Sequence, residues 1–450
     1  MTGDTLPEAK EGSGPPRAES AATHVNLLAA TDAIRDQHSQ RDFAVSSLHT
    51  HNEKEPNNSF FFASAQWSAD GTAALVGRSD NTISSFVLPT DLLEPAEEPH
   101  CLQPQGITKL PEPTQSIQGA PFFSLAEPAS QTFLVGCRDH PIQLYSAFPP
   151  PGDSMPLCAY KLIKHETEQY ISPSAILWPQ PGTHFVCGSA NRLDYFDITR
   201  YGSDGPVCTV PTIPSKRHIL KGGGVGMKGT VSALAASPPG QNEGVVAAGT
   251  RTRWMGLYDF RKADKAVANW NIASADQDEF GIDVGGQGIN QTLWSACGRY
   301  LVINERRSSG LLVYDIRVSG KLLSILAGRQ AETQQRLSCD VFGNSNGDPG
   351  FEVWGGTQQG SVQVWDEVGL HYGVSDSSWN WIAHEAPVSS SIVHPSGSVV
   401  LTCSGAWDYP LDSDTPRDSQ AAHDSGSRTR ILDDSSIKVW SINGVEEAAG

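Results

Sequence analysis

The 450-residue chain predicts an all-β fold, a closed ring of seven blades, on three observations. First, an alternating strand ending in an aromatic recurs: Ser-Ser-Phe86-Val, Gln-Leu-Tyr145-Ser, Leu-Asp-Tyr-Phe196-Asp197, Gly-Leu-Tyr258-Asp259, Leu-Val-Tyr314-Asp315, Val-Gln-Val-Trp365-Asp366 and Lys-Val-Trp440-Ser. Second, most copies follow a glycine-containing strand such as Phe185-Val-Cys-Gly188 or Val245-Val-Ala-Ala-Gly249. Third, a turn comes before that strand, as in Ser68-Ala-Asp70-Gly71, Ser237-Pro238, Ala296-Cys-Gly298 and His394-Pro395-Ser-Gly397. Strand, turn, strand, turn, strand is the pattern of a seven-bladed WD40-type β-propeller. A blade cannot bury both faces alone, so blades stack radially into one core.

The aromatics lie 59, 51, 62, 56, 51 and 75 residues apart. A blade of this type needs about 40–45 residues, so the surplus predicts long loops, where specificity resides. In chain order, residues 1–40 are rich in Pro, Gly, Ser, Ala and charge and read as a disordered tail. Residues 43–50 alternate like a strand and are expected to complete the last blade, removing two exposed sheet edges. The propeller is read as 43–442, with blades at 59–90, 117–149, 170–200, 229–262, 287–319, 335–367 and 386–442. The segments 91–116, 200–228 and 263–286 read as loops, the last acidic with Asp276, Asp278, Glu279 and Asp283. A Ser-, Asp- and Arg-rich insertion at 407–432 splits the last blade, and 443–450 is a short C-terminal tail.

Bulk properties narrow the function classes. No run of about 18 apolar residues exists, so no membrane span is expected. The N-terminus has no basic stretch followed by an apolar run and does not read as a secretory signal. The eight cysteines form no C-x-x-C pair, so no structural zinc site is expected, and they read as buried thiols of an intracellular protein. The sequons at Asn57 and Asn290 carry no weight without a secretory route. A net charge of −18 opposes indiscriminate phosphate binding but permits a local basic patch.

Three motifs invite an enzyme reading. Gly224-Val-Gly226-Met-Lys-Gly229 matches G-x-G-x-x-G, but it precedes a strand where a dinucleotide site needs a helix. Gly343-Asn-Ser345-Asn-Gly347 matches the nucleophile elbow, yet Asp348-Pro349-Gly350 marks a hairpin turn. Cys137-Arg-Asp-His140 sits where a blade turn belongs, with Asp139 expected to bond nearby backbone. No catalytic residue, metal ligand or cofactor is assigned. Asp80, Asp139, Tyr258, Asp259, Tyr314, Asp315, Trp365, Asp366, His384 and Trp440 are assigned structural blade positions. His384 is expected to hydrogen-bond a strand hydroxyl in a chain of contacts leading to a turn Asp and an aromatic.

Positive charge is concentrated. From Lys216 to Lys265 the net charge is +6, which leaves −24 over the rest. Lys216, Arg217, Lys221, Lys228, Arg251, Arg253 and Trp254 in this island, with Arg306 and Arg307 in the next blade's turn, are the candidate RNA-binding residues. Arg251-Thr-Arg253-Trp254 sets an aromatic among guanidiniums, a pattern suited to base stacking. The competing reading is a solvated face with Trp254 in the blade core.

The blade order resembles a known family. Phe62-Ala-Ser-Ala-Gln-Trp67-Ser-Ala-Asp70-Gly71, Ser79-Asp80-Asn81-Thr-Ile83, His140-Pro141-Ile142, Lys164-His165-Glu-Thr-Glu168, Met255-Gly-Leu257-Tyr258, Gln335-Arg336 and Gly356-Thr-Gln-Gln-Gly360-Ser-Val-Gln-Val-Trp365-Asp366 are similar to the WD40 telomerase Cajal-body protein family, which has a fungal branch associated with pre-mRNA splicing. The match covers 59–442 and includes the final-blade insertion. The resemblance implies a nuclear, non-enzymatic RNA-binding scaffold. Its partners are small nuclear or small Cajal-body RNAs, telomerase RNA among them, and their ribonucleoprotein proteins. It is expected to act as a monomer within larger complexes. The alternative is a protein–protein adaptor without direct RNA contact.

Overall fold

The computed structural model describes residues 24–31, 60–164, 166–202, 204–213, 226–240, 244–261, 266–343, 350–408, 430–431 and 435–443. Among these, seven sheets of four or five strands form the blades of a β-propeller. In each, the strand nearest the axis is the first of its blade. These inner strands are Phe62–Trp67, Thr114–Gly119, Ala175–Leu177, Val231–Ala236, Ile289–Trp294, Cys339–Gly343 and Val388–Val393. The recurring aromatics close the third strands. Phe86, Tyr145, Phe196, Tyr258, Tyr314 and Trp365 are buried between blades, and Trp440 is half-buried.

The ring closes with a different segment from the one the sequence suggested. His24–Ala30 pairs antiparallel with Ile437–Asn443 and becomes the fourth strand of blade 7. This corrects the reading of 1–40 as wholly disordered. The proposed strand at 43–50 lies outside the described residues. The physical reason is the apolar run Leu27-Leu28-Ala29-Ala30. Ala29 is fully buried, and Leu28 packs on the cluster that includes Ile437 and Val439. The Thr31 hydroxyl then accepts the Ile437 N–H at 2.9 Å.

Outer strands also occupy segments read as loops. Gly106–Lys109 lies in 91–116 and completes blade 1, and Ala266–Asn271 lies in 263–286 and completes blade 4. A one-and-a-half-turn helix, Ala275–Phe280, follows it. Trp407–Asp408 pairs with Arg430–Ile431 at the base of the last-blade insertion. No described helix is long and apolar enough to cross a membrane.

The blades are stapled by side chains that start on the inner strands. Hydroxyls of Ser116, Ser232, Ser338 and Ser389 donate to carbonyls of the next blade, Pro173, Ile289, Ser389 and Phe62. At the closure, Trp67 Nε1 donates to the Ile392 carbonyl at 3.3 Å, and His394 Nε2 meets the Gly71 carbonyl at 3.0 Å. Asn290, one of the sequons, is buried on an inner strand. Of the cysteines, Cys137, Cys187, Cys339 and Cys403 are buried, whereas Cys101, Cys208 and Cys297 are exposed against expectation. Burial pushes the thiols of Cys137 and Cys339 up to about 11, so both are poor nucleophiles.

Candidate nucleic-acid interface

Two sets of loops converge on the end of the ring where the inner strands begin. One set joins the second and third strands of each blade; the other leads into each inner strand. Arg251 and Arg253 lie in the turn of blade 4, between Val245–Thr250 and Trp254–Asp259. Arg306 and Arg307 form the two-residue turn of blade 5, between Tyr300–Glu305 and Ser308–Asp315. Arg253 and Arg307 take the left-handed conformation such tight turns demand, at φ 64° and 52°. Backbone bonds from Arg251 to the Thr230 carbonyl (3.0 Å) and from Arg306 to the Gly288 carbonyl (3.1 Å) fix both turns to the axis.

These neighbours have different surroundings. Arg253 points between blades. Its Nε donates to Glu305 Oε1 at 2.8 Å, its Nη2 to Glu305 Oε2 at 2.8 Å and to the Gly285 carbonyl at 2.9 Å, and its Nη1 to the Ala273 carbonyl at 2.8 Å. Desolvation raises the Glu305 carboxyl, and Arg253 opposes that rise. With its donors committed to a buried carboxylate, Arg253 staples blade 4 to blade 5 and does not present a free guanidinium. Trp254 likewise packs half-buried on the cluster of Val186, Leu193, Met227 and Val231, which removes it as a stacking platform.

Arg251, Arg306 and Arg336 line the mouth of an axial cavity of about 830 Å³ whose wall comes from all seven inner strands. Arg251 is exposed and its Nη2 donates to Gln115 of blade 2, so it reaches across the opening. Arg306 is half-buried, and desolvation and then the charge of Arg251 push its proton affinity down. Arg336 is exposed towards the cavity but ringed by protein; desolvation and then Arg306 act on it in the same sense. Gln287 and Gln334 line the same mouth and bond each other at 3.3 Å. Deeper in the cavity sits Asp340, its oxygens accepting the Val393 N–H at 2.8 Å and the Val341 N–H at 2.9 Å. Burial pushes its carboxyl up to about 6.

Behind Arg336 lies Arg329, which is 1% exposed and donates to uncharged acceptors: the Gly356 carbonyl at 3.0 Å, Asn304 Oδ1 at 2.7 Å and the Leu337 carbonyl at 2.9 Å. It holds the linker that carries Arg336 and adds a fourth positive charge under the mouth. Gln335 Nε2 bonds the Gly405 carbonyl at 2.7 Å, tying this linker to the base of the last-blade insertion. There Trp407 is 42% exposed, edge-on to Phe61 with centroids 5.5 Å apart. Trp407 is an exposed aromatic on this end that the sequence reading did not single out.

The remaining candidates separate further. Arg307 lies apart, in a shallow pocket with Asp283 and Glu332. Lys228 is exposed beside this turn, its carbonyl accepting the Thr252 hydroxyl. Lys216, Arg217 and Lys221 lie outside the described residues, as do residues 224–225 and 344–347 of the glycine motifs. Arg336 belongs to the site although it lies far from the basic island. The available signal was its place, in the linker just before an inner strand.

Some of the residues read as structural blade positions have these surroundings. His384 is buried, with Nε2 2.8 Å from the Thr402 hydroxyl and Nδ1 3.1 Å from Ser436, and Trp440 Nε1 donates to the same Thr402 oxygen at 2.9 Å. Asp80 Oδ1 accepts the Thr82 N–H at 3.2 Å. Asp139 is the left-handed turn residue with φ 55°. The turn's side-chain bond comes instead from His140, whose Nδ1 donates to the Arg138 carbonyl at 2.8 Å. Among the described residues no group of His, Cys, Asp or Glu could hold a metal ion.

No family model matches the chain. It is 27% identical over 308 residues to guanine nucleotide-binding protein negative regulator 1 of Schizosaccharomyces pombe, covering 68% of this chain and 70% of that protein. It is 25% identical to telomerase Cajal body protein 1 of Mesocricetus auratus over 78% of this chain and 59% of that protein, and 24% identical to the Bos taurus protein over 87% and 66%. It is also 25% identical to protein SWT21 of Zygosaccharomyces rouxii over 74% of this chain and 72% of that protein. The chain thus spans less than two thirds of either mammalian protein's length. With its own seven blades and this similarity along most of its length, the chain is distantly similar to the WD40 telomerase Cajal-body proteins and the yeast SWT21 proteins.

Proposed function

We propose that this protein is a non-enzymatic nuclear scaffold that binds small nuclear or small Cajal-body RNA and serves small ribonucleoprotein assembly and pre-mRNA splicing. The observation that carries the reading is the arginine mouth of the axial channel. Arg251, Arg306 and Arg336 face one another, and among the described residues none is ion-paired with an acid. Like charges are gathered at a cost unless a partner neutralises them, and phosphate is the partner guanidinium geometry suits best. The names of the mammalian relatives point the same way. The acidic remainder of the chain disfavours contact elsewhere and so orients RNA to this end.

The test is RNA binding across a salt series with Arg251, Arg306 and Arg336 all changed to alanine. Loss of three contacts to single-stranded RNA should flatten the slope of log K against log salt by about 2. An unchanged slope would remove the mouth from the interface. Partners that survive nuclease treatment in a pulldown, with no RNA crosslinked, would favour the adaptor reading.

A further inference from the structure

The mouth differs from a groove in one respect. A groove lets a strand run through with its internal phosphates in contact. Here the three arginines stand on consecutive blades, 4, 5 and 6, at the opening of a channel whose wall comes from all seven inner strands, and Arg251 reaches across it to Gln115. An internal phosphodiester can pass over such an opening but cannot enter it without a sharp reversal of the strand. A chain end can enter directly.

Charge supports the same conclusion. A phosphodiester carries one negative charge; a terminal monoester carries about −1.5 to −2 at pH 7 and presents three acceptor oxygens. The mouth offers three converging guanidiniums, with a buried fourth, Arg329, behind them that donates to uncharged acceptors. Neutral Gln287 and Gln334 share the mouth with the arginines, and the channel wall carries inner-strand hydroxyls and one carboxylate, Asp340. Asp340 is itself held by two backbone N–H groups and does not pair with the arginines.

We propose that Arg251, Arg306 and Arg336 form a receptor for one phosphate monoester, the terminal phosphate of a bound RNA held end-on at the channel mouth. This rests on the RNA-scaffold reading. The receptor fixes the polarity of the bound strand: the phosphorylated end is anchored at the axis, and the chain leads away across the rim towards Trp407, where a base can stack on the exposed indole. No covalent step is involved.

The experiment measures binding of the full chain to one short single-stranded RNA in three forms: 5′-phosphorylated, 3′-phosphorylated, and hydroxyl at both ends. Adenosine monophosphate alone is the fourth probe. One phosphorylated form should bind about tenfold tighter than the hydroxyl form, the scale of one added charge-assisted contact. That preference should grow from pH 5.5 to 7.5 as the monoester becomes a dianion, because its second pKa is about 6. Arg306→Ala and, independently, the solvent-facing Arg336→Gln should each abolish the preference; the second guards against misfolding in the first. Equal binding of all three RNAs overturns the monoester receptor and leaves RNA binding standing. Binding of adenosine monophosphate with none of the RNAs overturns the RNA reading and leaves a receptor for a free monoester. Binding of none of the four overturns both.

Discussion

Arg253→Ala isolates the buried ion pair between blades 4 and 5. Arg253 makes charge-assisted bonds to both oxygens of Glu305 and to the Ala273 and Gly285 carbonyls, and the Glu305 side chain is 2% exposed. Removing the guanidinium leaves the Glu305 carboxylate accepting from the Gly288 N–H at 3.3 Å. Breaking a buried pair from one side costs about 3–5 kcal/mol. The Arg253 side chain is 17% exposed, so water enters the vacated space and the expected loss is at the lower end, about 3 kcal/mol. The sign with pH follows from Glu305, whose folded carboxyl is already raised by desolvation. A carboxyl raised in the folded state contributes stability at low pH that is lost as pH rises through its folded value. Without Arg253 the rise is larger, so the deficit should be greater at pH 8 than at pH 5. Urea unfolding at both pH values measures it, with RNA binding assayed in parallel. A stability change below about 0.5 kcal/mol, the range of an ordinary surface substitution, together with weakened RNA binding, would refute the assignment and return Arg253 to the interface.

Other outcomes follow from the same geometry. Leu28→Asp places a charge against the apolar cluster that seals the ring and should free the Ile437–Asn443 edge, read as proteolysis at that edge and loss of about 2–4 kcal/mol; unchanged protease resistance would contradict the closure. Trp440→Phe deletes the donor to Thr402 and should cost about 1 kcal/mol, whereas His384→Ala should cost more because it strips buried partners from Thr402 and Ser436. Asp340 has a folded pKa of about 6 against 3.8, so its contribution is present below 3.8 and lost as pH rises through about 6. Asp340→Asn should flatten stability against pH across that window, and an unaltered profile would count against the burial of this carboxyl.

Where the sequence was readable, the signal was local. Second and third strands carry the glycine and aromatic landmarks and are buried along most of their length, as in Ala73–Arg78 and Thr82–Val87, so they stand out as apolar runs. The outer strands are short and half-exposed, as in the alternately buried and exposed Gly106–Lys109, and they sit among prolines and acids that read as loop. His24–Ala30 was masked by the charged composition around it. The site divides the same way. Turns carrying Arg251 and Arg306 were visible, but the fate of each arginine depended on distant partners. Arg253 meets Glu305, 52 residues further on, and no local pattern distinguishes it from Arg251 two positions earlier. Arg336 is one basic residue in a Gln-rich linker, and only the ring brings it beside Arg306.

The closing strand sets an order of events for making the protein. Thr31 finds its partner, Ile437, 406 positions later in the chain. Until the last blade exists, the segment 24–30 has only the two-residue strand His100–Cys101 to pair with, and the growing ring keeps two open flanks. Contacts of such separation form slowly, because the loop they close must first be gathered. A nascent chain of this protein is therefore an incomplete circle throughout its synthesis, and the final step of folding joins its earliest-made strand to its last. A bulky fusion placed directly before His24 would burden that step more than one placed after Asn443, since the first must swing into place and the second need only stay clear.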